Sequence, residues 1–212
     1  SLDRALALGL IDEAVDYAEA ARRADLILLA TPVGAMRGAL EALRADLRPQ
    51  ALVTDAGSTK SDVVAIARAA LGGRLHQFLP GHPIAGSEMT GPEAADPELY
   101  RGRKVVLTPL EETPTRARDW LTRIWEACGA RVLLMDAERH DRVLASISHV
   151  PHFLAAAYMA QVSREADADL RLSLAGTGFR DFTRIAAGSA EVWRDIFLSN
   201  RAAVLDELDA FS

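Results

Sequence analysis

The sequence predicts an α/β fold in two parts: a doubly wound parallel sheet over residues 1–135, followed by helices alone over residues 136–212. Two observations support this prediction. Short apolar segments of strand length alternate with segments of helical spacing in the first part, which is typical of a parallel sheet. No convincing strand follows Asp136. An all-helical part that cannot cover its own apolar faces favours a dimer interface.

The elements follow in order. Residues 25–30, DLILLA, are apolar on both faces, as expected of a buried parallel strand. Further strands are predicted at residues 51–54, 75–79, 104–108 and 131–135. Helices are predicted at residues 2–24 (as two short helices), 36–47, 61–71, 115–128, 137–162, 166–174 and 190–209. Ligands of such sheets bind at the carboxyl ends of strands, where polar turns lie at residues 31–33, 55–58 and 82–86.

Composition narrows the possible functions. The net charge of −6 over 212 residues argues against a nucleic-acid partner. The single cysteine, Cys128, favours a reducing cytoplasm, and we expect it to fill space in the core. No apolar run approaches the roughly 20 residues of a membrane span, and Asp3 and Arg4 interrupt the first apolar residues, unlike a signal peptide.

His82 precedes Pro83, which forces the histidine into extended backbone geometry. It is interpreted either as a structural histidine in a turn or as a reactive group, and its position at a strand end favours the second reading. Ser58 follows a glycine at another strand end. It can cap the helix beginning near Ser61, face the crevice, or do both. Lys60 is predicted to be solvated.

The helical part carries a second set of candidates. His149 and His152 share one helix face, and no nearby carboxylate or cysteine completes a metal site with them. Pro151 lies between them and removes a backbone donor. Residues 176–184, GTGFRDFTR, are interpreted either as an anion-binding segment or as an interhelical loop in which Asp181 pairs with an arginine.

Taken together, these segments resemble the prephenate/arogenate dehydrogenases of tyrosine biosynthesis. The matching segments are DLILLATPV (25–33), DAGSTKSDV (55–63), GHPIAGSEMTGPEAA (81–95), LYRGRKVVLTP (99–109), SHVPHFLAAA (148–157), GFRDFTRIA (178–186) and WRDIF (193–197). The resemblance implies a partial Rossmann-like NAD(P)-binding domain followed by a helical dimerisation and substrate domain. It also implies oxidative decarboxylation of prephenate to 4-hydroxyphenylpyruvate or of arogenate to tyrosine, with both substrates left open.

The same resemblance implies roles for individual residues. His82 matches the general base that takes the proton of the substrate ring hydroxyl, and Ser58 matches the serine that shares this hydroxyl. Arg184 matches a carboxylate-binding arginine, and Trp193 a residue that reaches the neighbouring subunit's pocket. The remaining substrate-binding candidates are Ser87, Glu88, His149, His152 and Asp181. The cofactor-binding candidates are Thr31, Pro32, Val33, Asp55 and Ser58.

One departure from the family concerns the cofactor. The family opens with a GxGxxG turn that holds the pyrophosphate, and these 212 residues contain none. We therefore expect an opening βαβ unit to be lacking and this chain to bind NAD or NADP weakly, so that it could itself be inactive. The preference between NAD and NADP stays open.

The expected partners are a dicarboxylate substrate, tyrosine as a feedback ligand and a second copy of the chain, with no nucleic acid and no membrane. Two other functions stay open. One is another Rossmann oxidoreductase with a helical dimer domain, such as a β-hydroxyacid dehydrogenase. The other is a non-catalytic ligand-binding protein without a cofactor site.

Overall fold

The structure is a computed structural model that describes residues 2–86 and 91–212. Its internal contacts divide the chain into two compact units, Ser1–His140 and Asp141–Ser212. The sequence places the boundary between residues 135 and 136, five residues before this division. The first unit is α/β and the second is helical, which confirms the predicted fold class.

The elements of the first unit alternate along the chain as the sequence predicts. Its helices are α1 (Leu2–Ala7), α2 (Tyr17–Arg23), α3 (Met36–Arg44), α4 (Ser61–Leu71) and α5 (Thr115–Ala127). Its strands are β1 (Leu26–Leu29), β2 (Leu52–Asp55), β3 (Phe78–Leu79), β4 (Gly81–Ile84), β5 (Lys104–Leu107) and β6 (Arg131–Leu134). The predicted strand at 75–79 is shorter in the structure because a 3₁₀ turn, Gly72–Gln77, occupies its first half.

In the described residues these strands form two three-stranded sheets. The first has the order β1-β2-β3 and is parallel throughout, with Leu29 opposite Asp55. The carboxyl ends of β1 and β2 therefore lie side by side, and the amide of Ala56 donates to the carbonyl of Leu29 at 2.9 Å. This edge is where a doubly wound sheet binds its ligand.

The second sheet departs from the predicted all-parallel arrangement. Its order is β4-β5-β6, and β4 runs antiparallel to β5 while β6 runs parallel to it. Pro80 separates β3 from β4 and has no backbone N–H to continue a ladder. The chain consequently changes partners at Pro80, and His82 lies within β4 opposite Val106, not in a turn after a strand.

Apolar side chains cover both faces of the parallel sheet. Val53 and Phe78 belong to one hydrophobic cluster and Leu52 and Leu79 to another, as alternation along a strand requires. The first cluster includes α3 and α4, and the second includes β5 and α5. The expectation that Cys128 fills the core is wrong: it is exposed, directly after the end of α5.

The second unit contains only helices among the described residues. Helix α6 (Ala137–Leu144) begins in the first unit and ends in the second, which also contains α7 (Val150–Val162), α8 (Ala168–Ser173), α9 (Thr177–Thr183), α10 (Ala190–Ser199) and α11 (Arg201–Phe211). A π-helical turn, Ala145–His149, joins α6 to α7. The predicted helix at 190–209 is divided at Asn200, and the segment 177–183, for which a loop was one interpretation, is helical.

The continuous helical stretch Ala137–Val162 differs from one sequence-based expectation. Its 26 residues are long and apolar enough to span a membrane by length and composition. Polar residues such as Arg142 and Ser146 interrupt its apolar residues, so no uninterrupted apolar run within it reaches this length. A lone helix of this kind is weak evidence, because core helices of globular proteins meet the same criterion.

Candidate active site

A buried carboxylate organises the first unit's site. Asp55 ends β2, is fully buried, and accepts hydrogen bonds from the amides of Gly57 at 2.8 Å and Gly81 at 3.0 Å. Lys60 pairs with the same carboxylate and donates to the carbonyl of Gly81 at 2.7 Å. One ion pair thereby ties the carboxyl end of β2 to the first residue of β4.

The prediction that Lys60 is solvated is wrong, since its side chain is 0% exposed. The sequence carried a weak signal for this role, because Lys60 follows the strand-ending Asp55 by five residues and directly precedes α4. A buried ammonium needs a charged partner and further hydrogen bonds, and both are present here.

Two glycines allow this close packing. A Cβ on Gly57 would lie 2.8 Å from Asp55 Oδ2, and a Cβ on Gly81 would lie 3.0 Å from the backbone oxygen of Asp55. Either contact would displace the carboxylate or the strand. The glycines of the DAGS and GHP motifs are therefore explained by the approach of Asp55.

His82 contacts a second histidine, which was not among the predicted site residues. The half-buried His82 lies in β4, and its Nδ1 is 2.8 Å from Nε2 of His140 in α6. His140 is fully buried, and the two rings meet edge to face at 66°. Because one nitrogen must donate and the other accept, this contact fixes where protons can reside on the pair. No local pattern in the sequence indicates this contact, because the two histidines are 58 residues apart.

The cofactor-binding candidates lie at the carboxyl ends of β1 and β2. Thr31 follows β1, and its Oγ1 is buried with no hydrogen-bond partner within 2–86 and 91–212. Pro32 is exposed, and Val33 packs into the core. Ser58 is half-buried in the turn after β2 and is not the helix cap, because that position belongs to Lys60. An orphaned hydroxyl at this edge fits a dinucleotide that binds across the strand ends.

The second unit assembles the other histidines. His149 is 1% exposed at the end of the π-helical turn, and Pro151 follows at the start of α7. The π-helical turn is wider than an α-helical turn, and it places Pro151 in the first turn of α7. Proline is tolerated there because the first backbone N–H groups of a helix have no partner within it. His152 Nδ1 donates to the carbonyl of Ser148 at 2.8 Å.

Trp193 joins the two histidines of the second unit. Its indole stacks on His152 with ring centroids 3.6 Å apart and planes 20° apart. It meets His149 edge to face at 6.3 Å. Gly188 makes room for the indole, since a Cβ there would lie 2.6 Å from Nε1. All three rings were predicted to be site residues, but their contacts with one another were not predicted.

Charge near His152 comes from the segment after α9. Burial lowers the pKa of His152, the hydrogen bond to Ser148 opposes this, and the nearby Arg184 guanidinium lowers it further. Arg184 opens the 3₁₀ turn Arg184–Ala187 and is exposed. Asp181 lies exposed on α9 and forms no ion pair with an arginine among the described residues.

The structure therefore groups the candidates by unit. In the first unit Asp55 bonds to Gly81, the residue before His82, and Thr31 and Ser58 follow the strand ends. His149, His152, Trp193 and Arg184 are grouped in the second. Ser87 and Glu88 lie outside the described residues. Among the described residues, no cluster of three or more His, Cys, Asp or Glu side chains could hold a metal ion.

Comparison with known families agrees with this division. Residues 1–134 match the family model described as "Prephenate dehydrogenase, nucleotide-binding domain". Residues 136–212 match the model described as "Prephenate dehydrogenase, dimerization domain". Together the two models account for nearly the whole chain.

Individual proteins give the same result. The chain is 40% identical to cyclohexadienyl dehydrogenase of Zymomonas mobilis, over 99% of this chain and 72% of that protein. It is 38% identical to prephenate dehydrogenase of Bacillus subtilis, over 97% of this chain but 56% of that protein. The chain thus spans little more than half of some relatives it matches.

Solved structures superpose closely. A prephenate dehydrogenase of Aquifex aeolicus, in complex with hydroxyphenyl propionate and NAD⁺, has a TM-score of 0.90 and 37% identity, over 99% of this chain and 73% of that one. An arogenate dehydrogenase of Synechocystis has a TM-score of 0.82 and 32% identity, over 99% and 75%. Both units of this chain, with their DAGS, GHP, SHxPH and FRDFTR motifs, therefore belong to the prephenate dehydrogenase family of NAD(P)-dependent oxidoreductases.

Proposed function

We propose that the protein oxidatively decarboxylates prephenate to 4-hydroxyphenylpyruvate, or arogenate to tyrosine, in the cytoplasm. The observation that carries this proposal is the His82–His140 hydrogen bond beside the buried Asp55–Lys60 pair. It provides an oriented histidine next to strand ends that suit a dinucleotide. The Aquifex relative bound to a hydroxyphenyl carboxylate and NAD⁺ supports the same chemistry.

His82 is the base in this proposal. For its Nε2 to accept the proton of the ring hydroxyl, the neutral imidazole must carry its own proton on Nδ1. That Nδ1–H then donates to Nε2 of His140 at 2.8 Å, which holds the ring in the required tautomer. The same contact stabilises the imidazolium that forms, as the orienting partner of a catalytic histidine does elsewhere.

The remaining groups of the first unit bind and orient. Ser58 shares the ring hydroxyl, and Thr31 with the residues after β1 and β2 would hold the cofactor. NAD(P)⁺ bound there supplies the acceptor for the hydride that leaves ring C4. Removing the hydroxyl proton pushes electrons towards that departure, and loss of the ring carboxylate as carbon dioxide then makes the ring aromatic.

The second unit provides the substrate's anion-binding groups. Arg184 binds one carboxylate, and Asp181, His149 and His152 also bind the substrate. Ser87 and Glu88 stay substrate-binding candidates on the family resemblance alone. Trp193 supplies a flat apolar wall through its stack on His152. We propose that residues 136–212 also form a homodimer. Exposed apolar residues support this, among them Ile147, Leu174, Leu198 and Phe211.

The test is an absorbance assay at about 340 nm, the band of the reduced nicotinamide, with prephenate and arogenate each crossed with NAD⁺ and NADP⁺. The proposal predicts turnover with at least one pair and release of one carbon dioxide for each reduced cofactor. No turnover at saturating cofactor by a protein that binds prephenate would indicate a non-catalytic ligand-binding protein instead. Reduced cofactor without carbon dioxide would indicate a different oxidoreductase.

The cofactor's phosphate loop and feedback by tyrosine are separate proposals. Because no GxGxxG occurs in these 212 residues, we propose that they alone bind NAD⁺ and NADP⁺ weakly. Calorimetric titration tests this, and a micromolar Kd would refute it. Tyrosine resembles the product, so we propose that it competes for the same pocket. A KM for prephenate that is independent of tyrosine concentration would refute competition.

A further inference from the structure

Asn200 is the only asparagine among the 212 residues, and its side chain is committed to two partners. It lies between α10 and α11 and is 5% exposed. As the residue before α11 it occupies the cap position, yet its side chain makes no cap hydrogen bond. Asparagine at this position ordinarily bonds to the helix's own amides, so here the side chain is used for something else.

Both contacts are made by the amide nitrogen. Asn200 Nδ2 donates to the backbone carbonyl of Asp141 at 2.8 Å and lies 3.0 Å from Nδ1 of His149. A carbonyl oxygen can only accept, so Asp141 determines which end of the amide faces it. The reversed amide would set oxygen against oxygen in a buried place, which is costly.

The orientation of the amide determines the proton position on His149. Because Nδ2 carries hydrogens and no lone pair, it can only donate to Nδ1. Nδ1 of His149 must therefore hold a lone pair, and the proton of the neutral ring must reside on Nε2. The backbone carbonyl of Asp141 thus fixes the tautomer of His149 through one intervening amide.

We propose that Asn200 is a positioning residue that holds His149 in the Nε2–H tautomer, so that this ring donates a hydrogen bond to an oxygen of the substrate. The role towards substrate rests on the proposed function, but the tautomer does not. An N–H donor binds a carboxylate or carbonyl oxygen and offers no lone pair to an ammonium group. Burial of His149 to 1% exposure strengthens such a bond.

The first experiment uses the unaltered full protein. Long-range ¹H–¹⁵N correlation spectra distinguish a protonated ring nitrogen from an unprotonated one, and His149→Gln identifies the His149 signals among the five histidines. The proposal predicts an unprotonated Nδ1 and a protonated Nε2. Asparagine labelled with ¹⁵N should give one side-chain NH₂ pair whose two protons are both protected from exchange. A protonated Nδ1 would overturn the proposal, whatever the enzyme's activity.

The second experiment replaces the hydrogen-bond donor at residue 200 with an acceptor. Asn200→Asp has nearly the same shape but only acceptors, so Nδ1 of His149 should become protonated. At a pH where the ring is neutral, Nε2 then carries no proton. Loss of a hydrogen bond to a charged substrate group should raise KM about tenfold or more with little change in kcat. Ser199→Asp adds the same charge one residue away and should leave both the tautomer and KM unchanged.

The outcomes separate the two proposals. An unchanged tautomer in Asn200→Asp would overturn the positioning role. A shifted tautomer with unchanged KM would overturn the contact between His149 and the substrate. Absence of turnover in the unaltered protein would refute the proposed function and leave the tautomer measurement intact. Should Asn200→Asp not fold, the spectrum of the unaltered protein still decides the tautomer.

Discussion

The ammonium group of Lys60 donates a 2.7 Å hydrogen bond to the carbonyl of Gly81, the residue directly before His82. The same ammonium is paired with Asp55 at the end of β2. The buried ion pair therefore fixes the backbone directly before the proposed base, and the hydrogen bond with His140 orients its ring. Its position depends on groups that do not themselves touch the ring hydroxyl.

Breaking this ion pair should be costly. Lys60→Met leaves the buried Asp55 carboxylate without its cation, so we expect the free energy of unfolding to fall by about 3–5 kcal/mol. Urea denaturation measures this. The chain has one other lysine, Lys104, which is exposed, so Lys104→Met is the matched control and should change stability by less than about 0.5 kcal/mol. Equal effects of the two substitutions would contradict the structure.

The pKa of His152 should be lower than the usual value of about 6.5, because the ring is partly buried and Arg184 lies nearby. The folded state then binds fewer protons than the unfolded state. The associated stability is present above the unfolded pKa and is lost as the pH falls through the folded one. NMR titration of His152 measures the shift. Arg184→Gln should raise its pKa, while Arg171→Gln, at an exposed arginine paired with Asp167, should not.

Arg184 should act mainly in substrate binding. Arg184→Ala removes the proposed partner of a substrate carboxylate, and we expect KM for the substrate to rise about tenfold or more with a smaller change in kcat. Steady-state kinetics at saturating cofactor separate the two constants. Arg171→Ala serves again as the control. A fall in kcat at unchanged KM would assign Arg184 to the chemical step instead.

Much of the fold follows from local patterns. The continuous apolar run of β1 and β2 predicted a buried parallel sheet, and Pro83 predicted the extended backbone of His82. The antiparallel pairing of β4 did not follow, because Pro80 ends one ladder without indicating which strand the chain joins next. The split at Asn200 was missed because the apolar spacing of the helix continues through it.

The candidate-site residues that lie in sequence motifs were predictable, whereas those that act through tertiary contacts were not. His82, His149, His152 and Trp193 stand in segments that identify the family. Lys60, His140 and Asn200 matter through partners 21, 58 and 59 residues away in the chain, namely Gly81, His82 and Asp141. No local pattern in the sequence reveals such pairings, and a lysine before a helix is solvated in most proteins.

The central claim is that His82 removes the proton of the ring hydroxyl, and His82→Asn tests it most directly. Turnover should be measured with whichever substrate and cofactor the full protein uses, and binding with hydroxyphenyl propionate, the ligand of the Aquifex relative. We expect kcat to fall by at least about 10²-fold, the usual loss when a general base is removed. Binding should persist, and His76→Asn, at an exposed histidine, should behave as the unaltered protein. A His82→Asn protein with undiminished kcat would contradict the account.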